Sequence, residues 1–152
     1  MFGAFFVYLP AQAIYSSVIN QWYYPAQAST FMSIALEQIS STLNELKCRT
    51  NFNIKNVTEY MLPELKEPIY LHVEGKTPLL IIRPAFEIFS TELVTIDGVH
   101  AKYDYYHNAQ MTRFPTRKNK GSSEIHYGLA FWFDSADAII LFINRLIEIV
   151  KG

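Results

Sequence analysis

The clearest hydrophobic period in the first half of the chain predicts an amphipathic helix. Its apolar residues recur every three or four positions and so share one helical face: Met32, Leu36, Ile39, Leu43 and Leu46. We expect this helix to end between Cys48 and Thr50. An earlier helix is also predicted, because the sequence Pro-Ala-Gln-Ala, suited to a first helical turn, occurs at both Pro10 and Pro25. Residues 1–50 are therefore predicted to be helical.

The pattern changes to that of β-strands after residue 68. Ile69–Glu74 and Leu79–Arg83 flank Gly75-Lys76-Thr77-Pro78, which predicts a hairpin. Further strands are predicted around Phe86 and Ile88, at Leu93–Ile96, at Val99–Tyr106 and at Glu124–Phe133. Together these segments predict a mainly antiparallel sheet of five to six strands over residues 69–133. Residues 51–68 show little period and contain Pro63 and Pro68, so they are predicted to be a linker.

A long apolar helix is predicted after the last strand, over residues 134–152. Asp134 or Ser135 can cap its start, and its apolar arc is wide enough to bury more than one side. The order of elements predicts a single α+β domain over residues 1–152, with this helix packed on the sheet. The run Tyr127–Phe133, followed by Ser135–Ala138 and the apolar helix, resembles the end of a pleckstrin-homology-like domain. That resemblance implies an alternative, a barrel of this family with added N-terminal helices.

The start of the chain has no charge to make it soluble. Neither a charged residue nor a histidine occurs before Glu37, so this stretch needs cover from the core, a partner or lipid. Prolines and polar residues interrupt it, and we expect no transmembrane segment. Cys48 is the only cysteine, which favours a cytoplasmic location. The apolar run Met1–Leu9 leaves a short, atypical secretion signal as the alternative.

The function class that the sequence favours is a non-enzymatic binding protein. No catalytic motif or cofactor fingerprint is present, and we expect no cofactor. Both ends of the chain are apolar, which predicts self-association through the terminal helices into a homo-oligomer such as a dimer. A different protein partner is also compatible with such ends. The formal net charge of −1 gives no overall attraction for nucleic acid.

A small hydrolase is one alternative. His100 and Asp104 alternate with apolar residues on one predicted strand, and together with His126 they are the candidate catalytic residues. The same alternation is typical of the solvated face of an antiparallel sheet, which is the interpretation we favour. The four histidines match no zinc-binding spacing, and no metal site is predicted. Cys48 has no neighbouring histidine and is interpreted as a buried structural thiol.

Binding of single-stranded nucleic acid is the other alternative. The loop from His107 to Ser123 is rich in cations and follows a run of tyrosines, and cations beside stacking aromatics are typical of such surfaces. The predicted binding residues are Arg113, Arg117, Lys118, Lys120, Tyr103, Tyr105 and Tyr106. A solvated connection between strands has the same composition, and this interpretation is the one we favour.

Overall fold

The computed structural model describes residues 34–152, an α+β arrangement of three α-helices and eight strands. In chain order the elements are α1 (Leu36–Glu45), β1 (Arg49–Ile54), β2 (Val57–Met61), β3 (Pro68–Glu74), β4 (Thr77–Ile82), a 3-10 helix (Pro84–Phe89), α2 (Ser90–Leu93), β5 (Val99–Ala101), β6 (Tyr106–His107), β7 (Thr116–Lys118), β8 (Glu124–Phe133) and α3 (Ala136–Lys151). The predicted α+β class is confirmed, with more strands than the five to six expected. The predicted first helix lies outside the described residues.

The described sheet is antiparallel, and its longest strand, β8, organises it. The strand order is β1-β2-β3-β4-β8-β5, and β6 and β7 also pair with β8. The N–H of Lys102 donates to the C=O of Ala130 (2.8 Å), and that of Asn108 donates to the C=O of His126 (3.0 Å). The backbone N–H and C=O groups of successive β8 residues point to opposite sides of the strand, so those of the even-numbered residues point toward β5 and β6. Residues 99–108 thus form one edge strand along β8, interrupted at residues 102–105.

Helix α3 packs on the sheet, as predicted. It begins where the sequence indicated, because Ser135 Oγ accepts a hydrogen bond from the Ala138 N–H (3.2 Å). Phe142 and Leu146 are fully buried against the sheet and against α1. Within the described part of the chain, none of the helices has both the length and the apolar character needed to cross a bilayer.

Both faces of the sheet are covered by side chains. Leu129, Phe131 and Phe133 of β8 face the larger core, which lies under α1 and α3. Ala130 and Trp132 point the opposite way, into a second core that includes Tyr70 and the loop residues Met111 and Phe114. The loop before β7 therefore packs on the sheet and is not wholly solvated.

Four predictions about elements between residues 51 and 106 were wrong. The region predicted as a linker, residues 51–68, contains most of the hairpin β1–β2, which turns through Lys55 and Asn56 with positive φ angles of 53° and 65°. The strands predicted at Phe86–Ile88 and Leu93–Ile96 are replaced by the 3-10 helix and α2. Pro84 occupies the first position of the 3-10 helix, where a missing N–H costs nothing. The strand predicted over Val99–Tyr106 is broken at its middle.

Candidate functional site

Two adjoining grooves open where the edge strand is interrupted. We call residues 102–105 the edge break. The helix-side groove, about 580 Å³, lies between the edge break and the segment formed by the 3-10 helix and α2. The loop-side groove, about 450 Å³, lies between the edge break and the β7 segment. Both grooves are lined by Lys102, Asp104 and Tyr105, so a ligand that crosses the edge break can occupy the two grooves at once.

The helix-side groove combines an apolar floor with an exposed aromatic rim. Leu129 and Phe131 of β8 line it together with Val94, and Ser90 and Thr91 add hydroxyl groups. Tyr103 stands at its edge with a relative exposure of 101%, so its ring has no packing role in the described fold. The groove thus offers a solvent-facing ring beside apolar and hydrogen-bonding surface.

Tyr105 forms the partition between the two grooves. Its hydroxyl donates to Glu87 Oε1 (2.7 Å), a contact that joins the edge break to the 3-10 helix. Because that carboxylate accepts a hydrogen bond from the protonated phenol, it raises the pKa of Tyr105. Tyr105 therefore stays a neutral donor at physiological pH and holds the edge break in place.

The loop-side groove is electropositive. Three cations, Lys102, Arg117 and Lys120, line it against one carboxylate, Asp104, and Asn119 adds an amide. The Arg117 guanidinium lies over two rings, 4.8 Å from the Tyr105 centroid and 5.5 Å from that of Tyr127. Such cation–π contacts hold the charge in place without using its N–H donors, which stay available for carboxylate or phosphate oxygens.

His107 adds a neutral ring to this groove. It lies roughly parallel to Tyr127, with 6.0 Å between ring centroids. Burial, and secondly the positive charge of Arg117, lowers the pKa of His107, so the ring is neutral at physiological pH. Its Nε2 is buried and has no hydrogen-bond partner among residues 34–152. The groove's positive charge therefore comes from its lysines and arginine.

The predicted binding residues divide into three groups. Arg117, Lys120, Tyr105 and Tyr106 line the loop-side groove, whereas Tyr103 lines only the helix-side groove. Lys118 is an exposed residue of β7 opposite Glu124 and lines neither groove. Sequence reasoning did not include Lys102 or Asn119 among the binding residues. The interruption in the edge strand brings Lys102 to the site, whereas Asn119 directly follows β7. An uninterrupted alternation from Val99 to Tyr106 gave no signal of that interruption.

Arg113 lies away from both grooves, and its side chain, which is 58% exposed, pairs with a buried carboxylate. The Glu59 carboxylate, with a side-chain exposure of 1%, accepts from Arg113 Nε (3.1 Å), from Asn51 Nδ2 (2.7 Å) and from the Tyr70 hydroxyl (2.6 Å). The Tyr70 hydroxyl in turn accepts a hydrogen bond from the backbone N–H of Arg113 (3.1 Å). Burial and the adjacent Glu59 carboxylate raise the pKa of Tyr70. Arg113 therefore ties its loop to the sheet, and it lines neither groove.

The candidate catalytic histidines lie apart. His100 stacks on Trp132 (3.9 Å between centroids), and its Nε2 is 3.0 Å from Asp134 Oδ2. His126 Nδ1 is 2.7 Å from the Phe114 carbonyl oxygen. His100 pairs with Trp132, and His126 is six positions earlier on β8, a separation of roughly 20 Å along a strand. Asp104 lies in the edge break. His100 and His126 therefore do not form one site.

The last candidate nucleophile, the Cys48 thiol, is unreactive. Cys48 is buried, and burial raises its pKa to about 11, so it stays protonated at neutral pH. The predicted burial of Cys48 is confirmed. Among the described residues, no group of three or more histidine, cysteine, aspartate or glutamate side chains is arranged to hold a metal ion.

No protein family model, curated protein or solved structure gives a significant match to this chain.

Proposed function

We propose that this chain is a non-enzymatic binding protein and that its loop-side groove binds an anionic group of the ligand. The observation that supports this proposal is the convergence of Lys102, Arg117 and Lys120 on one groove. The chain as a whole has a net charge of −1, so this surface departs in sign from the average. A local concentration of cations attracts phosphate or carboxylate groups even where the whole molecule does not.

The rings beneath Arg117 favour binding over simple solvation. A solvated arginine side chain samples many rotamers, and ordering it on a ligand costs conformational entropy. Tyr105 and Tyr127 already hold the Arg117 guanidinium in place, so less of that cost remains when an oxyanion binds.

Titration with inorganic polyphosphate at low ionic strength tests the proposal. The variant Arg117→Ala with Lys120→Ala is expected to bind about tenfold more weakly, because two exposed charge contacts of about 0.7 kcal/mol each are removed. The variant Lys66→Ala with Lys76→Ala is the matched control, since it removes the same charge from exposed positions outside both grooves. Equal weakening of both variants, or no binding by the wild-type protein, would contradict the proposal.

A second candidate function is self-association, and exposed apolar residues beside α3 favour it. Ile88 and Leu141 have relative exposures of 82% and 54%. Ile88 lies four residues before Glu92, and Leu141 lies four residues before Arg145. Glu92 and Arg145 form an ion pair that joins α2 to α3. We propose a second copy of this chain as the partner that covers this surface.

A further inference from the structure

We infer that the anionic ligand is a single-stranded nucleic acid, with backbone phosphates in the loop-side groove and one base stacked on Tyr103 in the helix-side groove. This inference rests on the proposed function, because the loop-side groove supplies the phosphate contacts. The two grooves adjoin across the edge break and share Lys102, Asp104 and Tyr105. A flexible polymer that alternates charge and aromatic groups at short intervals matches that arrangement.

Tyr103 is the residue that distinguishes this ligand from other anions. A large aromatic side chain normally buries most of its surface, yet this ring is fully exposed beside a groove with an apolar floor. A solvent-facing ring next to a cationic groove is the arrangement that proteins use to stack unpaired bases. Bases within a duplex are already stacked and paired, so the arrangement selects single strands.

The two grooves also differ in charge, as a ligand with both phosphates and bases requires. Lys102 and Asp104 line both grooves. Glu87 lines only the helix-side groove, where its carboxylate repels phosphate and can accept hydrogen bonds from amino groups on a base. Arg117 and Lys120 line only the loop-side groove, where Asp104 is the one carboxylate among the lining residues. The charge distribution therefore places the phosphates on one side of the edge break and the base on the other.

Fluorescence anisotropy with three labelled probes of equal length tests the inference: a mixed-sequence single-stranded oligonucleotide, an abasic oligomer with the same phosphates, and a blunt duplex. The full chain is expected to bind the single strand roughly five- to hundredfold more tightly than the abasic oligomer, the range that one stacked base contributes. Tyr103→Ala is expected to remove this preference while leaving the affinity for the abasic oligomer unchanged. Tyr103→Phe keeps the ring and is expected to keep the preference.

The outcomes separate this inference from the proposed function. Equal binding of the single strand and the abasic oligomer by the wild-type protein, both weakened by Arg117→Ala with Lys120→Ala, would overturn the inference and leave the anion-binding proposal standing. No binding of any probe or of polyphosphate at low salt would overturn both. Tighter binding of polyglutamate than of the single strand would overturn the nucleic-acid inference in favour of an acidic peptide.

Discussion

Among single residues, Gly128 is the described glycine where an added Cβ would have the least room. A Cβ there would lie 2.6 Å from Ile81 Cγ2 and 2.6 Å from the Ile82 carbonyl oxygen, with a Phe114 ring atom at 3.0 Å. The backbone oxygen cannot move without disturbing the pairing of β4 with β8, so the substitution Gly128→Ala forces a shift in the sheet.

We therefore expect Gly128→Ala to lower the free energy of unfolding by about 1–3 kcal/mol, the usual cost of overpacking a core. Urea denaturation monitored by tryptophan fluorescence measures the change. Gly121→Ala is the matched control, because a Cβ at Gly121 meets nothing within 4 Å. Coinciding midpoints for the two variants would show that β8 and β4 are less closely packed at this point than the distances indicate.

Arg113 and Arg117 are four residues apart and are expected to differ in what they contribute. Arg113→Ala removes the cation beside the buried Glu59 carboxylate, and since the Arg113 side chain is itself 58% exposed we expect a loss of about 0.5–1.5 kcal/mol in stability. Its affinity for polyphosphate at a temperature well below unfolding is expected to match that of the wild type. Arg117→Ala is expected to do the reverse, with weaker polyphosphate binding and a smaller change in the unfolding midpoint. If Arg113→Ala weakened binding without lowering stability, the assignment of a structural role to Arg113 would be wrong.

At the scale of elements, the hairpin β1–β2 has a turn whose residues do not suit its conformation. Lys55 and Asn56 both have positive φ, the pattern of a type I′ turn, for which Asn-Gly is the preferred sequence. Lysine is uncommon at positive φ, because its Cβ crowds the backbone there. The conformation is therefore imposed by the pairing of the two strands.

Replacing the turn by Lys55→Asn with Asn56→Gly is expected to raise the free energy of unfolding by about 0.4–1 kcal/mol, since the new residues adopt the required φ angles with less strain. Thermal and urea denaturation both measure this change. The variant Lys76→Gly, in the next two-residue turn, is the control, because Lys76 is not among the residues with positive φ. A gain equal to or smaller than that of the control would argue against a type I′ turn.

The same hairpin shows which elements the sequence could predict. Helix α1, helix α3, the Gly75 hairpin and β8 have strong local patterns, and tertiary packing agrees with them. The hairpin β1–β2 lacked a glycine in its turn, and the exposed strand β1 has no apolar alternation to mark it. The edge break at 102–105 was not predictable, because it arises from the register with β8. Ala101 pairs with Phe131 and Tyr106 pairs with Gly128, so the edge strand has two more residues in this interval than β8 has. Consequently the cations of the loop were identified from sequence, but the groove that joins Lys102 to Arg117 and Lys120 was not.

For the molecule as a whole, Ile88 and Leu141 are large apolar side chains that remain exposed, and the proposed dimer would cover both of them. A symmetric dimer centred on Ile88 and Leu141 buries both residues from both copies, which makes four side chains in all. Each contributes about 1 kcal/mol or more when it leaves water. The Glu92–Arg145 ion pair lies beside them and would lose solvent at the same time.

We expect the wild-type protein to show a concentration-dependent dimer in sedimentation velocity, and the variant Ile88→Ser with Leu141→Ser to remain monomeric over the same range. The loss of four buried side chains at about 1 kcal/mol each raises the dissociation constant by roughly a thousandfold. Ile54→Ser is the control, because Ile54 is also exposed (48%) but lies at the end of β1, in the hairpin. A monomeric wild type at high micromolar concentration would contradict self-association through any surface. A dimer that survives the double substitution would contradict the surface proposed here, because an interface centred on Ile88 and Leu141 cannot lose both side chains and keep its affinity.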